Sequence, residues 1–277
     1  MKGGHKALWV DETISTTITE KSVDFIHRNA IKPFFLNCAT NDIHVPRVPN
    51  PQFVGLSGME PRGDAILEFD WSVGEIAHAL EIKGVGNNTI LIIPSDNGPV
   101  VDDGIRIRQL QNWENTLHGV ISEVENTAIT KPVPVYWADS LAKEIPQGKV
   151  SNAQLSQVDL FASFAALTAT SLESDEAPDS QNLLNAILGK EQAGREYIIE
   201  HDGSLTLIEY EWKYILSDNE PAYDRKMKID LGNSPVAQLY NLSIDIGEKN
   251  NVAGSYPDKV KELEAKLQTE ISKTAKK

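Results

Sequence analysis

A hydrophobic stretch that ends in polar residues is the first candidate for a ligand site. Thr89 to Ile93 predicts a buried strand, and Asp96 and Asn97 follow it closely, ahead of a glycine and two further carboxylates, Asp102 and Asp103. In open α/β folds, ligands bind beyond the carboxyl ends of the strands. Asp96 and Asn97 therefore place oxygen ligands where a site is possible, and the strand alone does not say what they would bind.

His44 and Arg47 are two side chains of one loop that could contact a ligand. Both lie in the proline-rich loop HVPRVPNPQF, which follows the apolar stretch Phe34 to Ala39. An imidazole titrates near neutral pH and can transfer a proton, and a loop at a strand end is a suitable place for it. A lone histidine is more commonly a surface residue, and an arginine beside two prolines is at least as often solvated. The residues alone leave both interpretations open.

Composition excludes several classes of partner and site. The chain has 26 Lys and Arg against 40 Asp and Glu, a formal net charge of −14, so nucleic acid and anionic membranes are not its expected partners. A single cysteine, Cys38, excludes an internal disulfide, and we interpret it as a buried strand thiol. No stretch approaches the ~20 apolar residues that span a bilayer, and the first residues contain no apolar core of signal-peptide length. The compartment stays open.

The first part of the chain predicts an α/β domain. Apolar residues at helical spacing predict helices over Asp11 to Asn29 and over Ala65 to Lys83, and Phe34 to Ala39 and Thr89 to Ile93 predict buried strands. Helix, strand, loop, helix and strand in this order are typical of a parallel sheet with crossover helices. We expect this α/β domain to cover residues 1–172.

The later part predicts a different architecture. KPVPVYWA is a candidate strand despite its two prolines, and AQLSQVDLFASFAALTA predicts a helix. Short alternating stretches in REYIIEH, LTLIEYEWKYILS and AQLYNL then predict a small antiparallel sheet, and the segment from Pro257 to the end predicts a helix. We expect residues 173–277 to form this C-terminal subdomain.

Several motifs in a fixed order resemble one family. FFLNCATNDIHVPRVPNPQF, FDWSVGEIAHALEIKGVGNNTILIIPSDNG, WKYI and QLYNLSIDIGEKNNVAGSYPDKVKELEAKL are similar to the later half of the formylglycine-dependent sulfatases, which belong to the alkaline-phosphatase-like superfamily. The resemblance implies an α/β fold, namely a partial alkaline-phosphatase-like sheet with crossover helices followed by a small antiparallel sheet and a C-terminal helix. It also implies hydrolysis of sulfate esters.

The resemblance implies roles for the candidate residues. Asp96 and Asn97 correspond to calcium ligands of the family, and the family's other ligands precede anything present in this sequence. His44 corresponds to the histidine that contacts the sulfate and assists proton transfer to the leaving group, which makes it the expected catalytic and substrate-binding residue. Arg47 could add a second contact to an anionic substrate.

Three departures from the family bear on activity. The family nucleophile is a formylglycine made from Cys or Ser in a Cys/Ser-x-Pro/Ala-x-Arg motif, and this sequence contains no such motif. The family's Lys-x-His pair is also absent. On a fit without gaps from Leu117 to Trp137, Ile121 stands where the sulfate-binding lysine belongs, and isoleucine has neither charge nor donor.

Three hypotheses follow. In the first, the chain is the later portion of a sulfatase, inactive alone, whose substrate would be a sulfated small molecule or glycan once a missing N-terminal half completes the site. In the second, it is a non-catalytic remnant that binds an anion, a glycan or a partner sulfatase. In the third, it is a phosphodiesterase or phosphonate hydrolase of the same superfamily. Because missing strands would leave an exposed core, we also expect the isolated chain to self-associate.

Overall fold

The computed structural model describes residues 8–94, 136–138, 145, 150–173, 175–202, 204–224 and 229–274. The chain divides into two compact units, residues 1–93 with 137–145, and residues 94–136 with 146–277. Each unit is described by itself below. The candidate ligands Asp96 and Asn97, together with Asp102, Asp103 and Ile121, lie outside the described residues. Among the helices that are described, none combines the length and apolar character required to cross a membrane.

Two packed helices form the centre of the first unit. Helix α1 (Ile14–Asn29) follows a 3-10 turn at Asp11–Thr13, and helix α2 (Glu60–Ile82) begins five residues earlier than its apolar periodicity predicts. Their apolar contact has three buried residues, Ile26, Ala79 and Leu80, against which Val23, Phe34, Leu36, Ile76 and Val85 pack. Both predicted helices are confirmed.

Hydroxyl groups form the other part of the contact between α1 and α2. Thr19 Oγ1 lies 2.9 Å from both Ser72 Oγ and the Ser15 carbonyl oxygen, and all three residues are buried. Ser15 Oγ lies 3.4 Å from Ser72 Oγ. Small polar side chains let the two backbones approach while every buried hydroxyl keeps a partner.

The prediction of a regular strand at Phe34–Ala39 is wrong for the described residues. This segment is neither a helix nor a strand, and its side chains alternate between half-buried at Phe34, Leu36 and Cys38 and exposed at the residues between them. A strand requires a hydrogen-bonded neighbour, and the described residues place none beside it. The strand predicted at Thr89–Ile93 is shorter than expected: β1 (Leu91–Ile93) pairs with β2 (Tyr136–Ala138), which lies inside KPVPVYWA.

The second unit contains a four-stranded antiparallel sheet covered by the last helix. Strands β3 (Ile198–Asp202), β4 (Ser204–Glu209), β5 (Trp212–Ile215) and β8 (Gln238–Asn241) lie in that order. Leu207 is opposite Tyr214, and Tyr214 is opposite Leu239. These three residues form a fully buried core with Leu263 and Leu267 of helix α5 (Pro257–Thr274). The predicted small antiparallel sheet with a C-terminal helix is confirmed.

Shorter elements complete the second unit. Helix α3 (Asp159–Leu167) covers only the middle of its predicted range, and it is followed by the short helix α4 (Leu184–Ile187). Strands β6 (Tyr223–Asp224) and β7 (Ile229–Asp230) pair with each other. Asp159, at the start of α3, accepts hydrogen bonds from the backbone N–H groups of Ser156 and Gln181 at 2.9 Å each and from Arg195 Nε at 2.7 Å.

Candidate active-site loop

The loop that carries His44 and Arg47 is closed by its own hydrogen bonds. The backbone N–H of His44 donates to the Asn41 carbonyl at 3.1 Å, and Arg47 Nε donates to the Ile43 carbonyl at 2.9 Å. These bonds join positions three and four apart, so the segment turns back on itself instead of extending. The structure thus brings His44 and Arg47 into one compact turn, as the sequence predicts for two residues of one loop.

The hydrogen bond of the His44 ring defines which nitrogen can do chemistry. Nδ1 lies 2.6 Å from the Val45 carbonyl oxygen. A carbonyl only accepts, so Nδ1 must carry the hydrogen and Nε2 is the nitrogen that can accept or donate a proton. The side chain is exposed, and no described residue bonds to Nε2. The imidazole is therefore oriented by the backbone and reachable by a ligand through Nε2.

Arg47 has a structural role in addition to its candidate contact with an anion. Its side chain is half-buried, and its Nε braces the turn. A guanidinium is a planar, charged group with five N–H donors, which suits contact with an anion. Replacing Arg47 would therefore disturb both the turn and any contact with a substrate.

Helix α2 holds the segment that follows this turn. Asn50 donates its backbone N–H to Glu68 Oε2 at 3.0 Å and its side-chain Nδ2 to the Glu12 carbonyl at 3.0 Å. One turn earlier on the helix, buried Asp64 accepts from the N–H groups of Gly55 at 2.8 Å and Ser57 at 3.1 Å, and from the Ser57 hydroxyl at 2.6 Å. These bonds lower the pKa of Asp64 below its ordinary value of 3.8, although the side chain is buried. The bond from the Ser57 hydroxyl has the largest effect, and the bond from the Gly55 N–H has the next largest.

A pair of buried acids lies at the base of the loop, and sequence reasoning missed it. Glu68 is 2% exposed and Asp42, two residues before His44, is 7% exposed. Burial raises the pKa of Glu68 above 4.5, and the negative charge of Asp42 raises it further, whereas the Asn50 N–H opposes both. The sequence did contain one signal. Glu68 lies four residues after Asp64, so the two acids are on the same side of α2, and the positions next to them pack inward.

The other side chains that could do chemistry have simpler roles. Cys38 is half-buried and its Sγ accepts a hydrogen bond from Ser22 Oγ at 3.3 Å. His78 is exposed on α2, with Nδ1 3.9 Å from Glu81 Oε2, as expected for a surface residue. Across the described ranges, no three His, Cys, Asp or Glu side chains come together in a way that could hold a metal ion.

The comparisons with known proteins identify the family. The family model described as Sulfatase matches residues 4–170. The N-acetylgalactosamine-6-O-sulfatase of Bacteroides thetaiotaomicron is 43% identical over 276 residues, and the human N-acetylgalactosamine-6-sulfatase is 31% identical over 175 residues, or 61% of this chain. A solved structure from work on glycosaminoglycan metabolism by Bacteroides thetaiotaomicron is 40% identical over 96% of this chain, with a TM-score of 0.86.

The match covers most of this chain but only part of its relatives. A sulfatase from Pseudoalteromonas sp. shares the fold, with a TM-score of 0.74 over 94% of this chain at 21% identity. The alignment covers 97% of this chain but 53% of the Bacteroides enzyme and 31% of the human enzyme. The chain thus spans about half the length of its Bacteroides relative. On these matches, the chain belongs to the sulfatase family of the alkaline-phosphatase-like superfamily.

Proposed function

We propose that this chain carries the leaving-group side of a sulfate-ester hydrolase site and acts only together with the part of a sulfatase that supplies the nucleophile. The observation that supports this role most directly is the orientation of His44. Its Nδ1–H is held by the Val45 carbonyl, so Nε2, when protonated, can donate a proton to the departing oxygen of a sulfate ester. Arg47, in the same turn, would contact the anionic substrate.

In this proposal, Asp96 and Asn97 are the residues that would bind a metal ion. Their carboxylate and amide oxygens fit calcium chemically, although they lie outside the described residues. A calcium ion held there would stabilise negative charge on the sulfate group. Two ligands are fewer than calcium requires, so the remaining ligands would have to come from the same part that supplies the nucleophile.

The missing nucleophile decides the activity of the chain on its own. This sequence contains no Cys/Ser-x-Pro/Ala-x-Arg motif from which formylglycine could be made. Loss of a nucleophile removes the covalent pathway itself. We therefore propose that the isolated chain does not hydrolyse sulfate esters.

The names of two relatives support a proposal for the substrate class. Two of them are named for removal of 6-sulfate from N-acetylgalactosamine. We propose a sulfated glycan, with 6-sulfated N-acetylgalactosamine as the first compound to test, for the completed enzyme.

Complementation tests this function. The chain would be assayed alone and after co-expression with the part of the Bacteroides relative that it does not cover, in cells that make formylglycine. We expect no turnover alone, and release of sulfate from 6-sulfated N-acetylgalactosamine by the complemented pair. His44→Ala should abolish this turnover, and His78→Ala, which changes an exposed histidine on α2, should preserve it.

Two outcomes would contradict the proposal. Turnover by the purified chain alone would show that another group replaces formylglycine. A stable complex without turnover would instead favour the second candidate, a non-catalytic protein that binds an anion, a glycan or a partner sulfatase. That candidate is favoured by Ile121, which stands where a sulfate-binding lysine is expected. Cleavage of a phosphodiester by the complemented pair, without cleavage of a sulfate ester, would favour the phosphodiesterase or phosphonate hydrolase alternative.

A further inference from the structure

The segment Phe34–Ala39 packs one of its faces on the helices of the first unit. The centre of the Phe34 ring lies 5.8 Å from that of Phe25, and Cys38 Sγ lies 3.3 Å from Ser22 Oγ. Because the later residue of the segment contacts the earlier residue of α1, the segment runs back along this helix. Its half-buried side chains pack against the apolar contact between α1 and α2.

The opposite face of the segment is exposed and uncharged. Phe35 is 74% exposed, and Asn37 and Ala39 are exposed as well. We call these three residues the Phe35 face. No charged residue occurs between Lys32 and Asp42, although 24% of the residues in the chain are charged. The cores of protein interfaces are depleted in charged residues and enriched in aromatic ones, so the Phe35 face has the composition of an interface core.

Strand β1 gives independent evidence that a layer of the first unit comes from elsewhere. Its residues Leu91–Ile93 are all apolar, as in strands that are buried on both faces, yet each is only half-buried. In α/β folds, helices cover both faces of the sheet. Within the described ranges of the first unit, the long helices are α1 and α2, and they pack on each other. A second covering layer must therefore be supplied by another segment.

We infer that the Phe35 face binds the part of a sulfatase that this chain does not contain, through an apolar surface of that part. This inference rests on the proposed function and adds to it the surface through which the two parts bind. About half of the Bacteroides relative has no counterpart in this chain, which is enough to form a second layer. The Phe35 face ends five residues before His44, so a partner bound there would lie next to the turn where a nucleophile is required.

A second copy of the chain is the competing occupant of this face. It would cover exposed apolar side chains, but it would bring no nucleophile and no additional layer type. We therefore expect self-association through the Phe35 face only in the absence of the complementary part, and we expect that part to displace the second copy.

Capture of the complementary part of the Bacteroides relative tests the inference. That part would be co-expressed with the tagged chain, with its nucleophile replaced by alanine, so that binding is measured independently of turnover. We expect a one-to-one complex by light scattering. Phe35→Lys should reduce the amount of captured partner by about tenfold or more, because the interface would have to bury an unpaired charge.

Further variants make the test specific. Asn37→Lys adds a charge to the same face at an exposed polar position, so it should also reduce capture without affecting folding. Val236→Lys is the matched control, since Val236 is 62% exposed but belongs to the second unit, and it should leave capture unchanged. Melting curves of the purified variants would establish that each is folded. His44→Ala should retain binding, and in a pair with an intact nucleophile it should lose turnover.

Three results would overturn the inference: no capture of the complementary part, equal capture by the parent chain and both lysine variants of the Phe35 face, or capture by oligomers of the chain that keep their size. The second result overturns it even if the complemented pair hydrolyses a sulfate ester. A one-to-one complex that depends on Phe35 but has no turnover with an intact nucleophile would instead support the inference and contradict the proposed function.

Discussion

Lys213 and Glu248 form an ion pair that is almost completely withdrawn from water. Lys213 Nζ lies 2.8 and 2.7 Å from the two oxygens of Glu248, and the side chains are 0% and 4% exposed. The pair connects the central strand β5 to the loop that follows β8. Because the desolvation of two charges offsets much of their attraction, the pair adds little stability over apolar residues but is costly to break.

Breaking this pair should destabilise the second unit strongly. We expect Lys213→Met to lower the free energy of unfolding by about 3–5 kcal/mol, since Glu248 is left buried without a counter-charge. Urea denaturation followed by tryptophan fluorescence would measure the change. The double variant Lys213→Met with Glu248→Met should recover most of the loss, and Lys261→Met, at an exposed position of α5, is the control. A single-variant cost below about 1 kcal/mol would mean that water reaches Glu248.

Asp64 makes the stability of the first unit depend on pH. Its pKa is lowered in the folded chain, so its contribution is present above the unfolded pKa of about 4 and is lost as pH falls towards the folded value. We expect Asp64→Asn to cost about 1–3 kcal/mol at pH 7, because an amide cannot accept all three hydrogen bonds from Gly55 and Ser57. Thermal melts should show a larger difference between Asp64→Asn and the parent chain at pH 7 than at pH 3. Asp70→Asn should show neither difference.

Among the elements, the contact between α1 and α2 depends on small hydroxyl residues. Ser72 is 1% exposed and contacts both Thr19 and Ser15 across the two helices. We expect Ser72→Leu to lower the free energy of unfolding by about 1–3 kcal/mol or more, because the larger side chain must separate the helices and the Thr19 hydroxyl loses its partner on α2. His78→Leu, at an exposed position of α2, should have little effect on chemical denaturation. Equal stability of Ser72→Leu and the parent chain would show that the helices can repack.

The sequence predicts elements well where apolar periodicity is strong and poorly where polar residues form the contact. Leu263 and Leu267 lie on the predicted apolar face of α5 and are fully buried. On α1, however, the buried residues are Ser15, Thr19, Ser22 and Ile26, so three of four buried positions are hydroxyl residues that apolar periodicity does not reveal. Their spacing of four and three was the only available signal.

Among the residues near the candidate site, too, some were predictable from the sequence and others were not. His44 and Arg47 were predictable as a pair because both lie in one loop, and local hydrogen bonds determine their geometry. Asp42 and Glu68 were not, because their burial depends on how the loop folds onto α2. The prediction of a strand at Phe34–Ala39 was wrong for a related reason: its alternating burial is present, but pairing depends on a neighbour elsewhere in space.

At the scale of the whole molecule, the described part of the first unit exposes several large apolar side chains. Phe35 is 74% exposed and Ile31 is 96% exposed, and Leu8, Trp9 and Val10 are each at least 59% exposed. Large exposed apolar patches on soluble proteins promote association. We therefore expect the isolated chain to form oligomers or aggregates instead of a 30.6 kDa monomer.

Light scattering coupled to size exclusion would measure this association. Phe35→Lys should shift the mass distribution towards the monomer, because it places a charge on the exposed side of the segment Phe34–Ala39. Val236→Lys is the matched control, since Val236 is 62% exposed but belongs to the second unit. A monodisperse monomer of the parent chain with a cooperative melt would contradict the prediction.

The contact between Asp159 and Arg195 bears on when helix α3 can dock during synthesis of the chain. The two residues are 36 positions apart, and Arg195 together with Gln181 satisfies the acid at the start of α3. At 5–20 residues per second, the ribosome makes Arg195 about 2–7 seconds after Asp159. During that interval α3 exists without the guanidinium that closes its N-terminus. We therefore expect this helix to dock only after Arg195 has been made, so a nascent chain stalled before Arg195 should expose α3 to proteases.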